Sequence, residues 1–97
     1  MSSERSEAKT YRASRGVCWL SQGNGILIID EVARRSYLLA YPEAAIWDMI
    51  CRGHCVASIK AGLRWIMGDE FIPDSGIVRE NLSRWVREGL LNPDISS

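Results

Sequence analysis

Hydrophobic and polar positions change period once along this chain, and the change divides it into a strand-forming half and a helix-forming half. Gly16-Val17-Cys18-Trp19-Leu20 is a short apolar run rich in strand formers. Ser21-Gln22-Gly23-Asn24-Gly25 follows, and its Asn-Gly pair is a strong hairpin signal. Ile26-Leu27-Ile28-Ile29-Asp30 predicts a second strand. After the charged connection Glu31 to Arg34, Arg35-Ser36-Tyr37-Leu38-Leu39 predicts a third. Alternation puts Arg35, Tyr37 and Leu39 on one face of that third strand and Ser36 and Leu38 on the other.

From Pro42 onward the apolar spacing becomes helical. Proline suits the first helical position and Glu43 then meets the positive end of the dipole, so a first helix is expected from Pro42 to about Arg52-Gly53. Val56, Ile59, Leu63 and Ile66 form the stripe of a second helix that stops at Gly68. Asp69 to Pro73 reads as a loop. A third helix, capped by Asp74 or Ser75, carries Val78, Leu82 and Trp85 on one face with Ile77 and Val86 beside them, and Gly89 closes it. Leu90 and Leu91 then dock, and Pro93 ends the order. The expected fold class is α+β and winged-helix-like: a three-stranded antiparallel sheet followed by three helices. Residues 1–14, polar and without an apolar run in the first ten, are expected to form a disordered tail, and residues 15–92 the folded domain.

Composition narrows the function classes. A 97-residue chain makes one small domain with little material for a deep catalytic pocket, which favours binding over chemistry. Its 12 basic and 12 acidic residues cancel and are interspersed, so no nucleic-acid or membrane-surface field is evident in the net charge. No segment approaches the roughly 20 apolar residues of a membrane span. Three cysteines, Cys18, Cys51 and Cys55, cannot complete a disulfide framework within one chain and point to a reducing, cytoplasmic setting. Cys51, His54 and Cys55 lie close together, but a Cys-x3-Cys spacing across a helix end is not finger-like, and buried cysteine is the simpler reading. His54 has no recognisable nucleophile or orienting acid and is expected in an exposed turn. Trp47, Trp65 and Trp85 stand at helical positions where large aromatics are usually core. No catalytic residue, cofactor or metal is expected.

A series of residue types, in order, resembles the PqqD-like peptide chaperones, the recognition elements of ribosomally made, modified peptides. A strand ending in Asp30 leads through a turn to Tyr37 and Leu39, then to Ala44, Ala45, Ile46 and Trp47; Gly53, Ile59 and Gly89-Leu90-Leu91 follow downstream. The resemblance spans Arg15 to Leu91. It departs at Ala40, where the family usually has Asn, and at Cys55, where it has a hydroxyl residue; both positions look like caps.

That resemblance implies a non-catalytic chaperone. It would bind the leader segment of a precursor peptide by adding it as a strand to the third strand, and would present it to a modifying enzyme such as a radical maturase, protease or cyclase. The implied peptide-binding residues are Arg35, Ser36, Tyr37, Leu38 and Leu39 along the edge, with Val78, Asn81, Leu82 and Trp85 lining the helix side of a groove between the third strand and the third helix, which would take the leader's apolar side chains. Arg34 and Arg35 offer attraction for an acidic leader, or a merely solvated turn. No nucleic acid or membrane partner is expected, and the chain is expected to be a monomer or weak dimer. The competing class is a winged-helix nucleic-acid-binding regulator using Arg79, Arg84 and Arg87; Glu80 and Glu88 interrupt that stripe, and the strands precede the helices instead of following them.

Overall fold

The computed structural model describes residues 9–68 and 75–93. Five strands and three helices run in the order β1 (Tyr11–Ala13), β2 (Val17–Gln22), β3 (Gly25–Asp30), β4 (Arg35–Ala40), α1 (Glu43–Cys51), α2 (Val56–Met67), α3 (Ser75–Arg87) and β5 (Leu91–Pro93). The fold is α+β. β2, β3 and β4 form the expected antiparallel sheet, in that spatial order.

A second sheet was not expected. β1 pairs antiparallel with β5, placing Tyr11 opposite Pro93 and Ala13 opposite Leu91. The Ser14 amide donates to the Leu90 carbonyl at 2.9 Å, and Asn92 Nδ2 donates to Ser14 Oγ at 3.0 Å. Residues 11–14 are therefore part of the fold and not of a disordered tail; residues 1–8 lie outside the described residues. A three-residue strand has no periodicity to read. Its order comes from a partner at the far end of the chain and from Tyr11, which packs against the core.

The first hairpin is shifted by one residue from its sequence signal. Gln22 pairs with Gly25, so the loop is Gly23-Asn24, with Gly23 at φ 60° and Asn24 outside the left-handed region. A glycine with positive φ at the first loop position fits a II′ turn. Gly25 is needed elsewhere: a Cβ there would collide with the Leu39 carbonyl oxygen, because the β4 backbone passes directly over it.

The second hairpin solves its lack of glycine with an aspartate. Asp30 is buried and its Oδ1 accepts hydrogen bonds from the amides of Val32 and Ala33, each at 3.1 Å. This side-chain turn lets Arg34 take the left-handed conformation at φ 58° and brings Arg35 opposite Asp30.

Ile26, Ile28 and Leu39 from the sheet join Ala44, Ile46, Trp47 and Ile50 of α1, Val56, Ile59 and Leu63 of α2, and Val78, Leu82 and Trp85 of α3 in one core. α1 and α3 both end in a left-handed glycine. At Gly53 the His54 amide donates to the Met49 carbonyl at 3.1 Å, and at Gly89 the Leu90 amide donates to the Trp85 carbonyl at 2.8 Å. These are the six-to-one bonds of Schellman closures, and the second folds Leu90 back onto the core. The expected loop at 69–73 and the Asp74 cap lie outside the described residues.

Trp47 is fully buried between Trp19 and Trp85, in edge-to-face contact with both at centroid distances of 5.6 and 5.2 Å. Trp65 departs from its expected core position and is 89% exposed. Two residues beyond Leu63 it lies about 200° further round α2, on the opposite side from the apolar stripe.

Candidate peptide-binding edge

Among the described residues β4 pairs only with β3, so its other side presents unpaired backbone donors and acceptors. Such a row is a template for a further strand. β2 is the other edge of the sheet. At the start of β4, Arg35 donates to the Tyr37 hydroxyl, and this bond, with smaller contributions from the Asp30 and Glu88 charges, holds its guanidinium above the ordinary value.

The structure separates the nine residues expected to bind peptide into two environments. Arg35, Ser36 and Leu38 are exposed and Tyr37 is half-buried. Leu39 turns inward beside Ile26. Val78, Leu82 and Trp85 are sealed in the core, at 0%, 1% and 1% exposure. Their side chains lie in the common core, where Trp85 meets Trp47 of α1 edge to face. Asn81 is buried and committed: its Nδ2 donates to the Ile77 carbonyl at 2.9 Å, and its Oδ1 accepts from Arg84 Nη2 at 2.9 Å. Arg84 also lies 3.7 Å from Glu43 Oε2, bridging α3 to the start of α1.

On the sheet face turned away from the helices a different set of residues comes together. Leu20, Leu27 and Leu38 stand directly opposite one another across β2, β3 and β4, and Leu20 and Leu38 are exposed. Only Leu38 of this row was expected at the site. Alternation had placed it on the face away from Leu39; the missing signal was the register, which brings the other leucines alongside.

Titratable chemistry is sparse. The three cysteines are free thiols, and no group of three or more His, Cys, Asp or Glu among the described residues is arranged to hold a metal ion. Burial, helped by the Asp48 charge, pushes the Cys51 thiol up to about 12. The Cys55 thiol is lowered by its contact with the Ser58 hydroxyl, at 3.5 Å, and by the Ser58 amide. His54 is exposed in the turn between α1 and α2. No described helix is long and apolar enough to cross a membrane.

No family model matches the chain, and no curated protein matches it. Its fold is shared with TbiB1, solved in complex with the TbiA(beta) leader peptide: the TM-score is 0.69 at 16% identity, over 84% of this chain and 94% of that one.

Proposed function

We propose that this chain is a non-catalytic peptide chaperone of the PqqD-like kind, which takes up the leader segment of a ribosomally made precursor by strand addition to β4 and presents it to a modifying enzyme. The observation that carries this reading is the open β4 edge in a fold shared with a protein that was solved with a leader peptide. The six residues of β4 offer a ladder long enough for a short extended segment. Backbone hydrogen bonds of that kind tolerate many sequences, which suits a protein that must hold a leader without acting on it.

The edge residues Arg35, Ser36, Tyr37, Leu38 and Leu39 form the ladder, with Leu39 contributing backbone alone because its side chain is in the core. Arg35, beside Glu88 and Tyr37, meets the peptide at the end of the ladder nearest the C-terminus of α3.

The test is a titration of the isotope-labelled protein with the leader of the precursor encoded beside it, followed by amide NMR and hydrogen exchange. Amides of Arg35 to Ala40 are expected to shift, and those pointing away from β3 to gain protection. A leader N-methylated at alternate residues should lose binding on one of its two phases. Shifts confined to α3 and absent from β4 would overturn strand addition.

A further inference from the structure

Beside the stripe of α3 that enters the core runs a second one. Ile77, Asn81, Arg84 and Glu88 recur at spacings of four, three and four and share a face roughly 100° round the helix from Val78, Leu82 and Trp85. Glu88 continues the helix, its amide donating to the Arg84 carbonyl at 2.9 Å. Two contacts orient this face toward β4. The Glu88 charge acts on Arg35 at the start of β4, and Arg84 Nη2 lies 3.7 Å from Oε2 of Glu43, in the first turn of the helix that follows β4. The other flank of α3 is occupied: Val86 packs against the core and the Arg79 charge acts on Tyr11 of β1. The face from Ile77, which is 39% exposed, to Glu88 is therefore the wall that α3 turns to a strand added at β4.

At the middle of that wall an arginine is held from behind. Asn81 is 7% exposed and both ends of its amide are engaged, Nδ2 with the Ile77 carbonyl and Oδ1 with Arg84 Nη2, each at 2.9 Å. The amide cannot be turned round, because a carbonyl only accepts and a guanidinium only donates. It fixes one arm of Arg84, whose side chain is 43% exposed. The other arm is not saturated among the described residues: Glu43, at 3.7 Å, is an ion-pair partner beyond hydrogen-bonding distance and is itself 41% exposed. A guanidinium fixed at one arm and weakly paired at the other presents a fork suited to a carboxylate.

We infer that Arg84, positioned by Asn81, selects a leader with an Asp or Glu on the side of the added strand that faces α3. This rests on the strand-addition reading above. The leader carboxylate takes the place of Glu43, which turns to solvent. Backbone pairing accepts almost any sequence, so a charge read at one fixed position supplies selectivity that the ladder lacks.

The test uses the fluorescein-labelled leader of the precursor encoded beside this chain, with each Asp and Glu replaced singly by its amide. Anisotropy gives affinity, and amide NMR gives the binding position. One replacement within the segment bound at β4 is expected to weaken binding about fivefold or more. In Arg84→Gln the same replacement should have no further effect. Arg84→Lys keeps the charge but cannot hold Asn81 and a carboxylate together, and should recover only part of the preference. Asn81→Ser should lower the preference for acid over amide while keeping the affinity for the amide leader within about twofold, which a general loss of folding would not do. Glu43→Gln should tighten binding of the acidic leader by removing its competitor. Melting curves check that the variants remain folded.

A segment bound at β4 that contains no Asp or Glu would overturn the inference and leave strand addition standing. So would an acid-to-amide loss in Arg84→Gln as large as in the parent. Absence of leader binding, or binding that leaves the β4 amides unshifted, would remove both readings.

Discussion

On the helix-facing side of the sheet Leu39 is 6% exposed, whereas Leu38, its neighbour in β4 on the opposite side, is 69% exposed. The same residue type in the same strand thus contributes to the core at one position and to an uncovered surface at the next. Toward the helices, Ile26, Ile28 and Leu39 are buried in one core with residues of α1, α2 and α3. Away from them, Leu20, Leu27 and Leu38 are aligned, with Leu20 and Leu38 exposed and Leu27 half-buried. An apolar face left uncovered next to an unpaired edge is where an incoming strand gains the most, because it brings side chains to both at once.

The sharpest way to break this comparison is to place a charge on each side. Leu82→Asp should cost about 4 kcal/mol or more and leave little folded protein, since an unpaired carboxylate enters the sealed core. Leu38→Asp should stay within about 0.5 kcal/mol of the parent in urea denaturation while reducing peptide binding. Comparable stabilities for the two variants would mean that the faces are not distinct.

Asp30 sits where the second hairpin presents β4, and Asp30→Ala should cost about 1–2 kcal/mol by removing the acceptor for two turn amides. Asp30→Asn, which keeps an acceptor oxygen, should recover much of that loss in the same melt. If alanine were as good as asparagine, the turn would be held by something other than this side chain.

Further from the sheet, Arg84 and Glu43 are each more than two-fifths exposed at 3.7 Å, so Glu43→Gln should change stability by only about 0.5 kcal/mol or less. A larger loss would show that the α1 to α3 bridge supports the edge more than its exposure indicates.

The thiols sharpen the comparison chemically. Cys18 lies on the bare face and is exposed, whereas Cys51 is packed against the core, so a maleimide near neutral pH should label Cys18 well before Cys51. Burial raises the Cys51 thiol from 9.0 to about 12, so the folded state holds a proton that the unfolded chain releases. Its contribution is intact below about pH 9 and is lost progressively as pH rises toward 12. Denaturation midpoints between pH 8 and 10 should therefore fall less steeply in Cys51→Ala than in the parent.

Much of this architecture was legible in the chain. The alternation of Arg35 to Leu39, the stripe Val56, Ile59 and Leu63, the stripe Val78, Leu82 and Trp85, and the closing glycines 53 and 89 all correspond to elements that formed. Each signal is local, and each element is long enough to display its period. β1 and β5 escaped notice because three residues show no period and their partners lie at opposite ends of the sequence. The hairpin shifted because Gly25 answers to the approach of β4, a contact that no turn preference contains. At the site, periodicity identified the apolar face of α3, and the tertiary structure places Val78, Leu82 and Trp85 of that face in the core.

By itself, then, the sequence determined the helices, the central strands, the alternation of β4 and the absence of a strong net charge, because these depend on neighbours a few residues apart. Only the tertiary structure decided which apolar face is covered and which is bare, and that three leucines from different strands align at an open edge. Coverage and register are properties of distant segments meeting, and the free energy that selects them comes from burying apolar surface against a partner which local pattern does not specify.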